Sequence, residues 1–458
     1  MSYSVDSLRA VLEAQTPGAA TGYVVAVSGG ADSTALLAAM AAHRHLPLRA
    51  VHVDHGLQAA AAEFRDACGA LCRRLDVPLT ILPVVVSTPD GVSVEAAARE
   101  ARYAALAGNL REGECLLTAH HREDQAETLL LQALRGAGLR GMSAMPPCRP
   151  FGRGWHLRPV LDVAQRELHA LGAAAAVDPM NEDLRFDRVY LRRRVWPLID
   201  SRWPGAVSAL SRTARHAAEA QRLLERTAEA DLGRLRDGEA LSLPRLRALG
   251  PAERINAVRH WLGLWGAEPP PTARLHEALR QFFEADEDHL PAMVWGDCAL
   301  RRYRDRVFVT AAHPPRLQGT RNWMVALGAS VDLGPGLGAL CWAAAPQRGM
   351  GIAAHRLPAF LSVRARRGGE TLRPAAHAKT QSLQHLCQSF GVLPWLRDAL
   401  PLVYADEVLI AVGDLWQDSS ACSAGPPAEP ASAEVATAEL ASAEAEWVIV
   451  WERAPIIV

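Results

Sequence analysis

Three groups of residues have types and spacings that could carry chemistry. Ser28-Gly29-Gly30-Ala31-Asp32-Ser33 follows an apolar run, Tyr23–Val27, and leads into a helical-period stretch, Ser33–His43. Paired glycines allow a tight turn and leave backbone N–H groups open to oxygens of an anion. A helix starting there adds a partial positive charge, and the Ser28 and Ser33 hydroxyls add donors. Asp32 cannot favour phosphate by charge, so it is expected to shape the backbone or to bridge through Mg2+. The loop is neither G-x-x-x-x-G-K-[ST] nor G-x-G-x-x-G, and the chain's single lysine, Lys379, leaves no phosphate-loop lysine.

The second group is Thr118-Ala119-His120-His121-Arg122-Glu123-Asp124-Gln125-Ala126-Glu127-Thr128. Asp124 and Glu127 are three apart, so one helix face presents both carboxylates and could hold an ammonium group. His120 and His121 stand where a strand should end, placed to meet a reaction intermediate or pass a proton. The third group is cationic. Arg188 and Arg192 are four apart on a predicted helix, apt for phosphate or simply a solvated face. Arg102 could contact phosphates or RNA, or pair with Glu95 or Glu100.

The elements that position these residues alternate. Apolar runs at Tyr23–Val27, Leu48–Val53, Leu79–Val86 and Glu114–Ala119 are separated by helical patterns near Ala59–Leu75 and Val94–Leu110, with another near Asp124–Leu134. That alternation predicts an α/β fold with a doubly wound parallel sheet over residues 1–204. Ligands in such sheets lie beyond the carboxyl ends of the strands, at about residues 28–33, 52–57 and 119–127. Residues 205–330 read as a helical domain, with Pro269, Pro270 and Pro271 between helices. Residues 353–418 read as a small α+β domain, and 419–446, rich in Ala, Ser, Pro and Glu, as a flexible tail. The apolar Trp447–Trp451 is expected to return as a strand.

A chain of 458 residues with 49% hydrophobic content can build two or three cores. Its net charge of −1 excludes a uniform polycation, yet Leu184–Arg226 holds ten Arg against four acidic residues. Ala353–Thr380 holds five Arg and one Lys against one Glu. A polyanion partner would therefore meet patches. The eight cysteines form no C-x-x-C pair, which argues against a zinc ribbon, an iron–sulfur site or a disulfide framework, and no metal cluster is assigned. With no signal core or bilayer-length apolar run, a reduced cytoplasmic enzyme is expected.

The loop S-G-G-A-D-S resembles the PP-loop of N-type ATP pyrophosphatases, which cleave ATP to AMP and pyrophosphate. That resemblance implies ATP binding by Ser28, Gly29, Gly30, Ala31, Asp32 and Ser33. His52 and Asp54, in His52-Val53-Asp54-His55-Gly56-Leu57, would face adenine or ribose. Ala98-Arg99, Ala101-Arg102-Tyr103, Thr118–Thr128, Arg135–Gly141, Leu157–Leu161 and Asp178–Asn181 together resemble the tRNA(Ile)-lysidine synthetase set.

Asp187–Arg194 resembles that family's D-R-N-x-I-R element with Val189 in place of Asn. Val363–Pro374, Ser382-Leu383-Gln384 and Phe390–Asp398 resemble its C-terminal domain, with Gln384 where Lys is usual. The resemblance implies ligation of L-lysine to C2 of the wobble cytidine in the CAU anticodon of isoleucine tRNA. ATP and Mg2+ would serve as cofactors, and no membrane or obligate protein partner is implied. It makes Asp124 catalytic, joined by His120 and Asp32. Arg102, His121, Glu127, Arg188, Arg192, Arg364, Arg366 and Arg367 would meet substrate or tRNA. The alternatives are a PP-loop tRNA thiolase, which wants sulfur-handling cysteines, and a small-molecule amidotransferase, which wants an ammonia source.

Overall fold

The computed structural model describes residues 4–42, 45–54, 61–87, 94–171, 184–286, 289–346, 351–374, 379–422 and 446–453. The chain divides into two compact units, Met1–Arg226 and Thr227–Val458.

The first unit is built on one sheet. Strands β1 (Gly22–Ala26), β2 (Leu48–Asp54), β3 (Leu79–Pro83) and β4 (Glu114–Leu117) alternate with helices α2 (Ala31–Ala41), α3 (Ala61–Arg74) and α4 (Val94–Asn109), after an N-terminal α1 (Val5–Gln15). Helix α5 (Arg122–Leu134), a short α6 (Leu139–Met142), the hairpin of β5 (Cys148–Phe151) and β6 (Gly154–Leu157), and α7 (Gln165–His169) follow. The strand order is β3-β2-β1-β4-β6-β5, parallel except for the edge pair β5–β6. The chain reverses winding direction between β1 and β4, so the loops leaving these two strands open side by side.

The central strands are buried on both faces, which is why they read as unbroken apolar runs rather than as alternation. In β1, Tyr23 and Val25 face one core with Leu36 and Leu37 of α2, Cys68 and Cys72 of α3, and Leu168 of α7. Val24 faces the other, with Val51, Leu116, and Leu106 and Leu110 near the end of α4. Buried Glu114 at the start of β4 is held by Arg49 of β2 through two hydrogen bonds of 2.8 and 2.6 Å. This pair ties the sheet together at the end opposite the loops.

The second unit departs from the helical domain expected over 205–330. Helices Ala206–Leu235, Pro251–Leu264 and Thr272–Glu284 form, the first of them crossing the division between units. They are accompanied by a five-stranded antiparallel sheet, including Ala292–Trp295, Cys298–Tyr303 and Arg306–Ala311. Two-residue turns, Gly296-Asp297 and Arg304-Asp305, join these strands, and Gly296 and Arg304 both have positive φ. Tight turns between short β-rich runs are hairpin signals, and they outweigh the helical character of the flanking sequence.

The C-terminal part also begins earlier than residue 353. Thr320–Met324 pairs with Phe360–Arg364, and Ser330–Gly334 and Gly338–Ala344 build a second sheet. Both sheets share a core in which Trp323 and Trp342 stack at 4.5 Å. The Trp447–Trp451 run does form a strand, Glu446–Glu452, against Gly338–Ala344. Of the tail expected at 419–446, Ser419 bonds the Arg373 carbonyl and Cys422 bridges Ile352, so its first residues belong to the fold. Residues 423–445 lie outside the described residues.

Gly154 starts β6 beside the first residue of its parallel neighbour β4, and a Cβ there would overlap the Glu114 carbonyl. Gly154→Ala is expected to lower stability by about 1–3 kcal/mol, the usual cost of overpacking. A shift of the first urea-unfolding midpoint, compared with a surface Gly108→Ala control that meets no neighbour, checks this.

Candidate active site

The Ser28–Ser33 loop leaves β1 and turns at Gly29, whose φ is +89°. A Cβ at Gly29 would lie 2.7 Å from the Phe64 ring of α3, so the turn needs glycine for conformation and for space. The loop is closed internally. Ser28 N–H donates to Ser33 Oγ at 3.1 Å, and Ser33 Oγ donates to the Gly30 carbonyl at 3.0 Å. Helix α2 begins at Ala31 with no side chain capping its first N–H groups. Those donors face the crevice, as an anion site requires.

Residues of α7 fasten Asp32. Gln165 Nε2 donates to its Oδ1 at 3.2 Å, and His169 Nε2 lies 2.7 Å from the same oxygen. Neither contact follows from sequence spacing, because Gln165 and His169 are more than a hundred residues away; only the packing of α7 on α2 brings them in. Of the other residues assigned to ATP, Asp54 ends β2 on the far side of β1, half-buried and 3.9 Å from Arg65. His52 is buried, with its Nδ1 2.8 Å from the Val27 carbonyl. It braces the strand end from which the loop departs. His55, Gly56 and Leu57, like Asp178–Asn181, lie outside the described residues.

The loop after β4 delivers His121 to the start of α5. Its ring is 1% exposed and surrounded by carboxylates. Nδ1 lies 3.0 Å from Glu123 Oε2, and Nε2 lies 3.4 Å from Asp124 Oδ2 and 3.7 Å from Asp32 Oδ2. Burial alone would strip the proton from His121. The Glu123 hydrogen bond and the charges of Asp124 and Asp32 outweigh it, holding the pKa above its ordinary value. Burial likewise works to raise the Glu123 pKa, but the His121 hydrogen bond and the Gln165 N–H win and lower it. His121 is thus clamped between the two strand-end loops by carboxylates that favour its charged form. Glu123 had no part in the sequence reading, because two residues from His121 on a helix it should not face it; the N-terminal position of His121 makes the contact possible.

Asp124 and Glu127 do share one face of α5. Asp124 Oδ2 accepts the His121 backbone N–H at 3.1 Å. Glu127, 3% exposed, takes a two-pronged bond from Arg192 at 2.8 and 2.9 Å, and Arg192 also reaches Asp124 Oδ1 at 3.3 Å. Arg192 lies in a π-helical segment, Leu191–Val195, inserted between the helical turns Asp187–Tyr190 and Trp196–Arg202. Such insertions re-aim side chains and recur at functional sites. Arg188, one helical step earlier, donates to Thr128 Oγ1 at 2.7 Å.

His120 faces a different neighbourhood. Thr118 Oγ1 lies 2.8 Å from His120 Nδ1 and 2.8 Å from Nε2 of buried His156 on β6. Arg99 and Arg102 of α4 stand over the Tyr103 ring at 5.0 and 5.4 Å, and that ring packs near His156. Arg102 has no ion pair with a described carboxylate. Burial, then Arg158, His156, Arg188 and Arg99, push the His120 pKa well below its ordinary value. Burial, then Arg158, Arg149 and Arg99, hold His156 down at about 2. The adjacent histidines are therefore shifted in opposite directions. Thr118, His156 and Arg158 escaped the sequence reading as site residues, since a hydroxyl and a histidine on separate strands carry no spacing signal.

In the second unit, Arg364 lies 3.8 Å over the Tyr404 ring and donates to Glu407 at 3.1 Å. Arg366 is half-buried, and Arg367 is exposed with its backbone N–H on Glu370. Among the described residues, no helix is long and apolar enough to cross a membrane.

The sign of the His121 shift makes its contribution to stability pH-dependent. A raised folded-state pKa stabilises fully below the unfolded value of about 6.5 and loses that contribution as pH rises through the folded value. The stability deficit of His121→Gln relative to wild type is expected to be widest in mild acid and to narrow toward alkaline pH. Urea midpoints of both proteins across that range check it, and a gap that widens with pH would refute the charged assignment.

Comparison with known proteins agrees with this architecture. Residues 4–199 match a PP-loop domain, 241–308 a TilS substrate binding domain and 361–430 a TilS substrate C-terminal domain. A tRNA(Ile)-lysidine synthase of Alkalilimnicola ehrlichii is 43% identical over 87% of this chain and 90% of its own length. Enzymes of the same name from Methylococcus capsulatus and Pseudomonas aeruginosa are 38% and 40% identical, over 90% and 86% of this chain and 94% and 90% of their own. Among solved structures, a U34-tRNA thiolase from Methanococcus maripaludis aligns with a TM-score of 0.37 and 13% identity, covering 47% of this chain and 78% of that one. With such identity over nearly its whole length, the chain belongs to the tRNA(Ile)-lysidine synthase family.

Proposed function

We propose that this chain uses ATP to join L-lysine to C2 of the wobble cytidine of a CAU-anticodon isoleucine tRNA. The observation that carries the reading is the pair Asp124 and Glu127. They sit beside the Ser28–Ser33 loop, already hold a cation in Arg192, and connect to that loop through His121 and Asp32.

In the first step the cytidine O2 attacks the α-phosphorus and pyrophosphate leaves. The uncapped N–H groups of α2 and the Ser28 and Ser33 hydroxyls would hold its oxygens. In the second step the lysine amine, having lost a proton, attacks C2, and AMP leaves with its oxygen. Asp124 would hold the incoming ammonium and take its proton, with Glu127 sharing the charge. Arg192 occupies the position such a cation needs, so lysine binding would displace or share it. Wobble-base access suits splayed single-stranded recognition, with Arg102, Arg188, Arg364, Arg366 and Arg367 as contacts to phosphate or RNA.

Mg2+ fits the same oxygens. It commonly binds one or two carboxylates together with substrate phosphates, and Asp32 and Asp124 both turn a carboxylate oxygen toward His121 at this crevice. Bound there with ATP, it would neutralise phosphate charge. Asp32 is otherwise held by Gln165 and His169, which supports its role in shaping the loop.

With ATP, Mg2+ and labelled lysine, the purified chain is expected to label a CAU-anticodon tRNA. Asp124→Asn should reduce incorporation by on the order of a hundredfold or more. Undiminished labelling in that variant would remove Asp124 from the mechanism. Pyrophosphate release on a free nucleotide without lysine transfer would favour a small-molecule substrate instead.

Binding of that tRNA should also weaken steeply with salt. If six to ten phosphates are neutralised, affinity should fall by about 10³–10⁵ between roughly 50 and 200 mM salt. Filter binding across that range tests it, and a flat salt response would count against the arginine contacts.

A further inference from the structure

Behind His120 runs a line of hydrogen bonds whose direction is dictated by one end. Arg158 is 3% exposed and sits on the chain just after β6. A guanidinium can only donate, and its Nη2 lies 3.3 Å from His156 Nδ1. His156 Nδ1 must therefore offer a lone pair. The remaining ring proton of neutral His156 is on Nε2, which donates to Thr118 Oγ1 at 2.8 Å. No third partner for the Thr118 hydroxyl is present among the described residues, so its hydrogen points to His120 Nδ1, also at 2.8 Å. His120 Nδ1 is then an acceptor, and its proton resides on Nε2. Charging His156 would set its Nδ1–H against the Arg158 N–H, and among the described residues no carboxylate contacts its ring.

We propose that Arg158, His156 and Thr118 form a relay that locks His120 as the neutral Nε2–H tautomer, so that His120 donates a hydrogen bond to a phosphoryl oxygen of the nucleotide. His120 is on this view an electrophilic donor and not the proton acceptor that its place beside His121 suggests. The surroundings agree. Beside burial, Arg158, His156, Arg188 and Arg99 all disfavour an added proton on His120, and the three arginines attract an anionic oxygen. Arg158, His156 and Thr118 act through His120 and are positioning residues. The identity of the acceptor oxygen rests on the adenylation reading above; the tautomer does not.

The test uses the full chain labelled with 15N-histidine. The His120 resonances are assigned by their loss in His120→Gln, and long-range 1H–15N correlation at neutral pH reports which ring nitrogen carries the proton. The expected result is protonated Nε2 and bare Nδ1. Thr118→Val should abolish that preference and lower kcat for tRNA-dependent pyrophosphate release by about ten- to hundredfold, the usual effect of losing a hydrogen bond that orients a functional histidine. The KM for ATP should change little, and Thr118→Ser should restore both the spectrum and the rate. An Nδ1-protonated or imidazolium His120 in the wild type would overturn the proposal, as would an unchanged spectrum and rate in Thr118→Val. An Nε2-protonated His120 in a wild-type chain that releases no pyrophosphate with tRNA would uphold the relay and overturn the adenylation reading.

Discussion

The site depends on one buried histidine whose charged form three carboxylates favour. His121 reaches Glu123, Asp124 and Asp32, and through Asp32 it ties the loop after β1 to the loop after β4. Three carboxylates so close would repel each other and push apart the two loops that must meet around a nucleotide. A proton held on His121 turns that repulsion into a clamp. Gln165 and His169 complete it by fixing the other oxygen of Asp32, so α7, which lies far along the chain, becomes part of the phosphate loop's foundation.

Sequence neighbours can occupy opposite electrostatic worlds when a backbone turn separates them. His121 turns toward carboxylates, which favour its charged form; His120 turns toward Thr118, His156 and arginines, where its neutral form is favoured. On the proposed reading, the boundary between these regions separates two tasks. Carboxylates on α5 suit the ammonium form of an amine substrate before it loses its proton, while arginines and backbone N–H groups suit phosphate. One reaction that brings a cation to an anion needs both, side by side but not merged, since an arginine free to enter the carboxylate pair competes with the substrate. Arg192 already does so, and the π-helical segment under it is what aims it there.

The second unit shows a different economy. Its arginines are rarely idle: Arg302 holds the Phe282 carbonyl from a buried position, and Arg364 is held between Tyr404 and Glu407. A count of basic residues along the sequence therefore overstates the charge available to a polyanion. Arg367, exposed and with its backbone anchored by Glu370, is better placed for that task than Arg364.

The sequence by itself determined the parallel sheet, the tight glycine turn after β1 and the shared face of Asp124 and Glu127. Each is a local consequence of chain geometry: two-sided burial makes apolar runs, paired glycines make a tight turn, and a three-residue spacing makes one helix face. Short strands escaped it. Ala292–Trp295 and Ser330–Gly334 are only four and five residues long, too short to show a period until partners are paired beside them. The same holds for the site. Thr118, His156 with Arg158, and Gln165 with His169 come from three separate parts of the chain, and no spacing relates them to His120 or Asp32. Only the tertiary structure decided which histidine holds a proton, because a ring's charge is set by the groups packed around it, and those come from distant parts of the chain.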